Sequence, residues 1–244
     1  FFKQKTAYEI VDCDWSSDVC SSDLATVYFN RLFDSDALTV KKVISDNVIG
    51  KVFRMESRFE RFRPDLSASS WRENWSRDDG GGDLLDLQPH LLSTAIDWFG
   101  PAELVNASVR SIRGGSDDDV VLTLKHKSGV DSYLSASGII GAPGPRLRIS
   151  GSGGALVIND LDPQEKMLRS GQKPTIDGWP KGARSSAMIF SRENPREIQC
   201  ESGNYVSFYK QVKEGLKTGV MPVSHDLILQ VATIIDQAKE ISIR

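Results

Sequence analysis

Apolar and polar residues alternate with a period of two near residue 55, and this alternation predicts a strand over residues 51–62. One face of the strand carries Phe53, Met55, Ser57 and Phe59. The other face carries the charged residues Arg54, Glu56, Arg58 and Glu60. This pattern is typical of a strand that is buried on one side and solvated on the other, and the charged side could alternatively face a second copy of the chain.

Further strands are predicted on both sides of this one. A β-prone run lies at 26–30, and five more follow at 103–113, 119–126, 130–137, 146–150 and 155–159. Short turn signals, Lys127-Ser128-Gly129 and Gly151 to Gly154, connect neighbouring runs. Because strands with such short links pair antiparallel, we expect a mostly antiparallel sheet.

A period of about 3.6 residues marks four helical segments. The first follows Asp34-Ser35-Asp36 and ends before Gly50, and the second spans 84–99 and ends at Gly100. Two more close the chain at 205–216 and 227–238, the former ended by Gly219 and the latter capped by Ser224. The pattern predicts an α+β fold, with a mostly antiparallel open-faced sheet and helices on one face.

The first twenty-four residues follow neither period. Ser-Ser-Asp occurs at 16–18 and again at 21–23, and the segment lacks the apolar centre of a signal peptide. The runs 3–10 and 14–24 resemble one reading frame through a common sequencing-library adapter. We interpret residues 1–24 as a non-native segment and exclude them from fold reasoning; the alternative is a divergent native extension.

Composition and charge exclude several classes of protein. The chain has 244 residues, a formal net charge of −3 and no apolar run of the ~18 residues that a membrane span needs. It lacks the basic excess typical of nucleic-acid binding. Outside residues 1–24, Cys200 is the single cysteine, so neither an internal disulfide nor a zinc site can form. We expect a cytoplasmic protein without metal, membrane or nucleic-acid partners.

One constellation of residues points to chemistry. If Asp86 and His90 lie four apart on a helix, the carboxylate can orient the imidazole for proton transfer. Pro89 conflicts with an unbroken helix unless the helix begins near Asp86. Gly80 to Gly82 would let a substrate or another backbone approach the helix start. Spacing alone favours a structural interpretation, a capping aspartate and a histidine at a helix end. His126 and His225 lack such partners and are predicted to be surface or capping residues.

The segment from Gly80 to Gly100 resembles a known family signature. It is similar to the G-G-G-x-L-x-D-L-G-x-H-L-I-D motif of the glucose-fructose oxidoreductase, inositol dehydrogenase and MocA family. The similarity continues in order over most of residues 25–244. The blocks Gly144-Pro145-Arg146 and Asp162-Pro163-Gln164-Glu165 are most similar to the NADP-preferring scyllo-inositol dehydrogenase-like branch of this family.

The resemblance implies roles for individual residues. Family members join a Rossmann domain, which binds NAD or NADP, to an α+β domain that holds a sugar or polyol and forms the oligomer. On this basis His90 is the general base and Asp86 its orienting partner. The substrate pocket would be lined by Trp71, Arg72 and Gly82, and the nicotinamide would lie near Asn30 and Arg31. We expect Asp86 and His90 to be close together and near solvent.

This sequence departs from the family pattern in two ways. Gln88 replaces the usual Gly of the motif, and Ser93 replaces an Asp. The glycine-rich dinucleotide turn, the ribose-binding acid and the Glu-Lys-Pro lysine are not found in the chain.

These departures lead to a division of the chain and a function. We expect a truncated NAD(P)-dependent oxidoreductase acting on a hydroxyl of a sugar or polyol, without tight cofactor binding by this chain. Residues 25–34 would be the remnant of the last Rossmann strand and a linker. Residues 35–244 would form the substrate domain and a homo-oligomer through the sheet. The alternative is a non-catalytic binding or assembly module of the same fold.

Overall fold

The computed structural model describes residues 24–174, 179–182, 184–192 and 194–242. The interpretation of 1–24 as an adapter-derived segment therefore lies outside the described residues, except at Leu24. Among the described helices, none combines the length and the apolar character that crossing a membrane would require.

A single eight-stranded sheet forms the centre of the molecule. Its strands are β1 (Val52–Glu60), β2 (Ala102–Arg110), β3 (Asp119–His126), β4 (Asp131–Ser137), β5 (Leu147–Gly151), β6 (Gly154–Ile158), β7 (Ser186–Phe190) and β8 (Arg196–Gln199). They lie in the order β2-β3-β4-β1-β5-β6-β7-β8. All neighbouring pairs are antiparallel except β1 and β4, which run parallel with Arg54 opposite Asp131. The predicted mostly antiparallel sheet is confirmed.

Helices surround one face of this sheet. A 3₁₀ turn (Asn30–Phe33) leads into α1 (Ser35–Ser45), and the others are α2 (Trp71–Asn74), α3 (Asp83–Asp86), α4 (Gln88–Phe99), α5 (Gln164–Arg169), α6 (Trp179–Gly182), α7 (Tyr205–Thr218) and α8 (His225–Ser242). The αL residue Gly219 ends α7, and the Ser224 hydroxyl accepts a hydrogen bond from the Leu227 N–H in the first turn of α8. Both predicted helix signals act as expected.

The core lies between the sheet and the long helices α4 and α8. Alternate residues of the central strands, such as Met55, Phe59, Leu122 and Leu134, are buried on this side. Helix α4 packs against β1, β3 and β4, while α8 packs against α4 and β2. On the opposite face Glu56 forms ion pairs with Arg58 and Arg148. The predicted division into a buried and a charged face is therefore observed.

Phe53 is the exception to the predicted pattern of β1. The pairing of β1 with β5 shifts register between Val52 and Arg54, as at a β-bulge. Because such an irregularity breaks the alternation of sides, Phe53 is 48% exposed instead of buried with Met55. The prediction for this residue was wrong.

Three other expectations differ from the structure. Residues 26–29 form no strand with any described segment. The backbone there makes local hydrogen bonds, such as that from the Phe29 N–H to the Val27 oxygen, instead of pairing with another strand. The short strands β7 and β8 lie beyond residue 159, where the sequence pattern predicts no strand. His126 is buried, not at the surface, and its ring nitrogens lie 2.8 Å from the Gly100 carbonyl oxygen and 2.9 Å from the Ser132 hydroxyl.

Candidate functional site

At the start of the segment from Gly80 to His90, the backbone of Gly82 packs closely against Asp117. Gly82 has φ 97° and ψ 159°, a conformation almost restricted to glycine. A Cβ atom at this position would overlap the carboxylate of Asp117. That carboxylate accepts a hydrogen bond of 2.8 Å from the Leu84 N–H and thereby caps α3. The space beside Gly82, considered for a substrate, is filled by a structural side chain.

The chain between Asp86 and His90 is not one regular helix. Helix α3 ends at Asp86, and α4 begins at Gln88 with Pro89 in its first turn. Pro89 has no N–H, and the N–H of His90 bonds to the Leu87 oxygen at 3.2 Å, not to an oxygen one full turn away. The expected helix start near Asp86 is correct to within two residues, but the helical spacing assumed for the pair is interrupted.

Gln88 secures the beginning of α4. It is buried, and its Nε2 donates a 3.1 Å hydrogen bond to the Val120 oxygen on β3. Its Oε1 is buried and accepts no hydrogen bond within the described part of the chain. The Gln88 side chain therefore occupies the space between α4 and the sheet, which a glycine would leave empty. Ser93, the second departure, donates to the His90 carbonyl oxygen within the helix.

Asp86 is paired with Arg72 and not with His90. The Nε atom of Arg72 lies 2.9 Å from Asp86 Oδ1. The guanidinium also stacks on the Trp71 ring at 4.4 Å from its centroid, and Trp71 in turn contacts Trp75. Within the described residues no hydrogen bond joins Asp86 to His90. The structure thus brings together three predicted site residues, Trp71, Arg72 and Asp86, in a partly exposed group.

His90 lies in a different and more enclosed environment. Its ring meets the Phe59 ring edge-on with centroids 6.5 Å apart, and its buried Nδ1 has no hydrogen bond to any described residue. Burial lowers the pKa of His90 to about 3, assisted by the positive charges of Arg31 and Arg146 and opposed by Glu165. The imidazole is therefore uncharged at neutral pH, and its low pKa makes it a weak proton acceptor.

Arg31 is buried in a network of its own. It forms ion pairs with Asp34 at 3.1 Å and with Glu165 at 3.0 Å, and its guanidinium lies 5.4 Å from the Phe59 centroid. The neighbouring Asn30 has a buried Oδ1 that accepts no hydrogen bond from the residues that the structure describes. These contacts hold Arg31 inside the domain, close to His90. The family resemblance had instead assigned Asn30 and Arg31 to the cofactor.

Arg146 was not predicted as a site residue. It is buried, donates a 2.6 Å hydrogen bond to Ser57 Oγ, and lies over the Phe59 ring at 4.0 Å, on the same ring that Arg31 contacts. Its Nη2 atom lies 3.9 Å from Oδ2 of Asp36. The only sequence signal for it was the Gly-Pro-Arg block, which gave no position relative to His90.

Asp83 provides a testable pH dependence. Burial, and then the negative charges of Asp117 and Asp86, raise its pKa to about 7. Its proton therefore stabilises the folded state fully below the ordinary carboxyl pKa of about 4, and this contribution is lost as pH rises through about 7. We expect Asp83→Asn to unfold like the wild type at pH 4 but to be about 1–2 kcal/mol more stable at pH 8, since the side chain is only half-buried.

Urea unfolding at both pH values measures this difference. Asp46→Asn, at an exposed aspartate after α1, serves as the control for the loss of a surface carboxylate. Equal stabilities of Asp83→Asn and wild type at pH 8 would contradict the assignment.

The glycine-rich turns do not form a cradle for the phosphates of a dinucleotide. Gly82 faces a carboxylate, which repels phosphate, and Gly151 to Gly154 form the hairpin between β5 and β6.

Comparison with known proteins places this geometry in a family. Residues 37–157 match the model of the GFO/IDH/MocA C-terminal domain. The chain is similar to scyllo-inositol 2-dehydrogenase (NADP(+)) IolW of Bacillus subtilis, with 30% identity over 90% of this chain and 62% of that protein. It is also similar to the oxidoreductase YdgJ of Escherichia coli, with 30% identity over 86% of this chain and 62% of that protein.

A solved structure from Bacillus subtilis, yvaA, assigned as an oxidoreductase, has the same fold. It superposes with a TM-score of 0.76 at 30% identity, covering 89% of this chain and 63% of that one. The chain thus spans about 62% of the length of the curated relatives it matches. The resemblance predicted from the Gly80 to Gly100 motif is confirmed.

Proposed function

Because this chain belongs to the GFO/IDH/MocA family, we propose that it provides the substrate site of an oxidoreductase that acts on a hydroxyl of a sugar or polyol with NAD or NADP. The relatives carry oxidoreductase names, and one of them is named for scyllo-inositol and NADP. A polyol of the inositol type is the substrate class that we carry over to this chain. We place its reacting hydroxyl at His90.

The observation that carries the proposal is the uncharged imidazole of His90. A general base must be deprotonated at working pH and reachable by the substrate. Burial and the charges of Arg31 and Arg146 meet the first requirement but also make His90 a weak base, and its half-buried position is compatible with the second. We therefore assign His90 to accept the hydrogen bond of the reacting hydroxyl. Since no bond joins Asp86 to His90, we assign Asp86 to the binding of a neighbouring hydroxyl, oriented by Arg72.

We further propose a cytoplasmic homo-oligomer that forms through the charged face of the sheet. That face carries Glu56, Arg58 and Arg148 in alternating ion pairs, flanked by the partly exposed Tyr133. An alternating pattern of this kind can pair with itself across a two-fold axis. In this proposal residues 35–244 form one substrate and oligomerisation domain, preceded by a linker at 25–34.

Polyol binding tests the function without requiring turnover. We expect saturation-transfer NMR to detect scyllo-inositol on the wild-type chain and to show at least about tenfold weaker binding to His90→Gln and to Asp86→Asn, because each loses a hydrogen bond to a substrate hydroxyl. His225→Gln, at an exposed histidine on α8, is the matched control and should bind as the wild type does. Binding that is unaffected by both site variants would overturn the assignment.

Sequencing the gene across the codons of residues 1–30 tests the domain assignment separately. An upstream coding segment with a glycine-rich dinucleotide turn supports an oxidoreductase. A start codon near Ala25 supports a non-catalytic module of the same fold.

A further inference from the structure

We propose that Arg146 is a positioning residue for the substrate hydroxyl, because it fixes the Phe59 ring against which the His90 imidazole lies. This inference rests on the proposed function, since it takes His90 as the residue that accepts the hydrogen bond of that hydroxyl. It assigns a role to a buried arginine that lies outside the motif around Asp86 and His90.

The Phe59 ring is the link between Arg146 and His90. The Arg146 guanidinium lies over this ring at 4.0 Å from its centroid, a distance at which the π-electrons of the ring face attract a cation. The His90 ring approaches the same ring with its centroid 6.5 Å away and its plane turned by 80°. Such an edge-to-face contact is a preferred geometry of aromatic pairs. A shift of the Phe59 ring therefore changes the packing of the imidazole directly.

Arg146 is itself held in one orientation. It is 7% exposed, its Nη1 donates a 2.6 Å hydrogen bond to Ser57 Oγ, and its Nη2 lies 3.9 Å from Asp36 Oδ2. Ser57 and Phe59 are two residues apart on β1, so their side chains point to the same side of the strand. The hydroxyl of Ser57 therefore fixes the guanidinium next to the ring that it contacts.

Arg146, which directly precedes β5, is not needed to hold β5 against β1. These strands already pair through an antiparallel ladder, in which Met55 is opposite Ile149 and both side chains are fully buried. An apolar residue at position 146 could extend this packing, whereas a buried guanidinium must be removed from water. Its Nε is buried and makes no hydrogen bond to any described residue, so this cost is only partly offset. A costly buried charge next to the candidate site indicates a functional reason for it.

A second guanidinium contacts the same ring. Arg31 lies 5.4 Å from the Phe59 centroid and is held there by ion pairs with two carboxylates. After burial, the positive charges of Arg31 and Arg146 are the influences that lower the pKa of His90, while Glu165 opposes them. The arginines therefore favour the neutral imidazole, whose unprotonated nitrogen can accept the hydrogen bond of a hydroxyl.

Arg146→Lys tests this role without removing the buried charge. Lysine retains a cation near Asp36, but a compact ammonium cannot lie flat over Phe59 as a guanidinium does. By saturation-transfer NMR on the whole chain, we expect scyllo-inositol to bind about fivefold more weakly to this variant than to the wild type. Arg196→Lys, the same change at an exposed arginine on the edge strand β8, should bind as the wild type does. The unfolding midpoint of Arg146→Lys shows whether the variant folds.

A double variant separates positioning from a general loss of structure. If Arg146 acts through His90, Arg146→Lys should weaken binding no further in a chain that already carries His90→Gln. Ser57→Ala provides a second route, because it removes the hydrogen bond that orients the guanidinium and leaves the charge in place. It should weaken binding in the same direction, even if Arg146→Lys does not fold.

The nitrogen chemical shifts of the His90 imidazole give a readout in the ligand-free chain. We expect the wild-type ring to keep the shifts of one neutral tautomer between about pH 5 and pH 8. At the upper end of this range, Arg146→Lys should move them toward the tautomer-averaged shifts of the exposed His225.

Wild-type affinity in both Arg146→Lys and Ser57→Ala would overturn the inference, as would an equal further loss in the chain that carries His90→Gln. Nitrogen shifts that are the same in Arg146→Lys and in the wild type would also overturn it. The proposed function fails by a different result, binding of scyllo-inositol that is unaffected by His90→Gln. The nitrogen shifts then still decide whether Arg146 positions the imidazole.

Discussion

Replacement of Arg31 by methionine is expected to lower the free energy of unfolding by about 3–5 kcal/mol, because it leaves buried carboxylate charge without a partner. Arg31 is nearly inaccessible, and its terminal nitrogens hold Asp34 and Glu165. Burial already raises the pKa of Asp34, and Arg31 is the largest influence that opposes this rise. Without Arg31, Asp34 must take up a proton or remain buried and charged.

Arg169→Met is the control for this experiment, because Arg169 binds the other oxygen of Glu165 from an exposed position. We expect it to change stability by less than about 1 kcal/mol, as exposed ion pairs usually do. Guanidinium-induced unfolding followed by circular dichroism at pH 7 compares the two variants. Similar losses in both would show that burial of Arg31 is not what makes its ion pairs important.

Substitution of Gly82 by alanine is the second change with a large expected effect. The backbone of Gly82 occupies a region that residues with a Cβ rarely adopt, and the added methyl group would overlap the Asp117 carboxylate. We expect a loss of about 2–4 kcal/mol from backbone strain and the displaced carboxylate together. Because Asp117 caps α3 through the Leu84 N–H, polyol binding at Asp86 should weaken as well.

Gly80→Ala separates the two causes. Gly80 also has a positive φ, 92°, but a Cβ there meets nothing within 4 Å. We expect it to cost about 1 kcal/mol, the conformational part alone. Thermal unfolding and scyllo-inositol titration of both variants give the comparison. If Gly82→Ala were no worse than Gly80→Ala, the close approach of Asp117 would not contribute to the site.

The sequence predicts most of the fold correctly where the determining signals are local. Strand β3 was predicted with its exact ends, because its β-prone residues lie between Asp119 and the Lys127-Ser128-Gly129 turn. Helix α7 ends at Gly219 as expected, since only the terminal residue needs the αL conformation. The parallel pairing of β1 with β4 has no such local signal, because the two strands are separated by long connections.

The candidate site was predicted in part for the same reason. The motif around Asp86 and His90 is contiguous, so it could be recognised, and its family was confirmed. The charges that surround His90 come from Arg31, Arg146 and Glu165, which lie far apart in the chain. The Arg72 to Asp86 ion pair likewise joins two segments through a loop. Nothing in a single sequence indicates which of its many charged residues meet.

The position of β1 in the sheet also determines when the protein can fold. β1 lies in the middle of the sheet, yet both of its neighbours, β4 and β5, are translated after it. On the ribosome, a nascent chain that has reached only α4 therefore exposes β1 with both edges unpaired, and such edges favour aggregation. Strand β1 can pair on both edges only after β5 has emerged from the ribosome. Folding should accordingly be slow and dominated by contacts between distant segments, and chaperones should improve the yield of expressed protein.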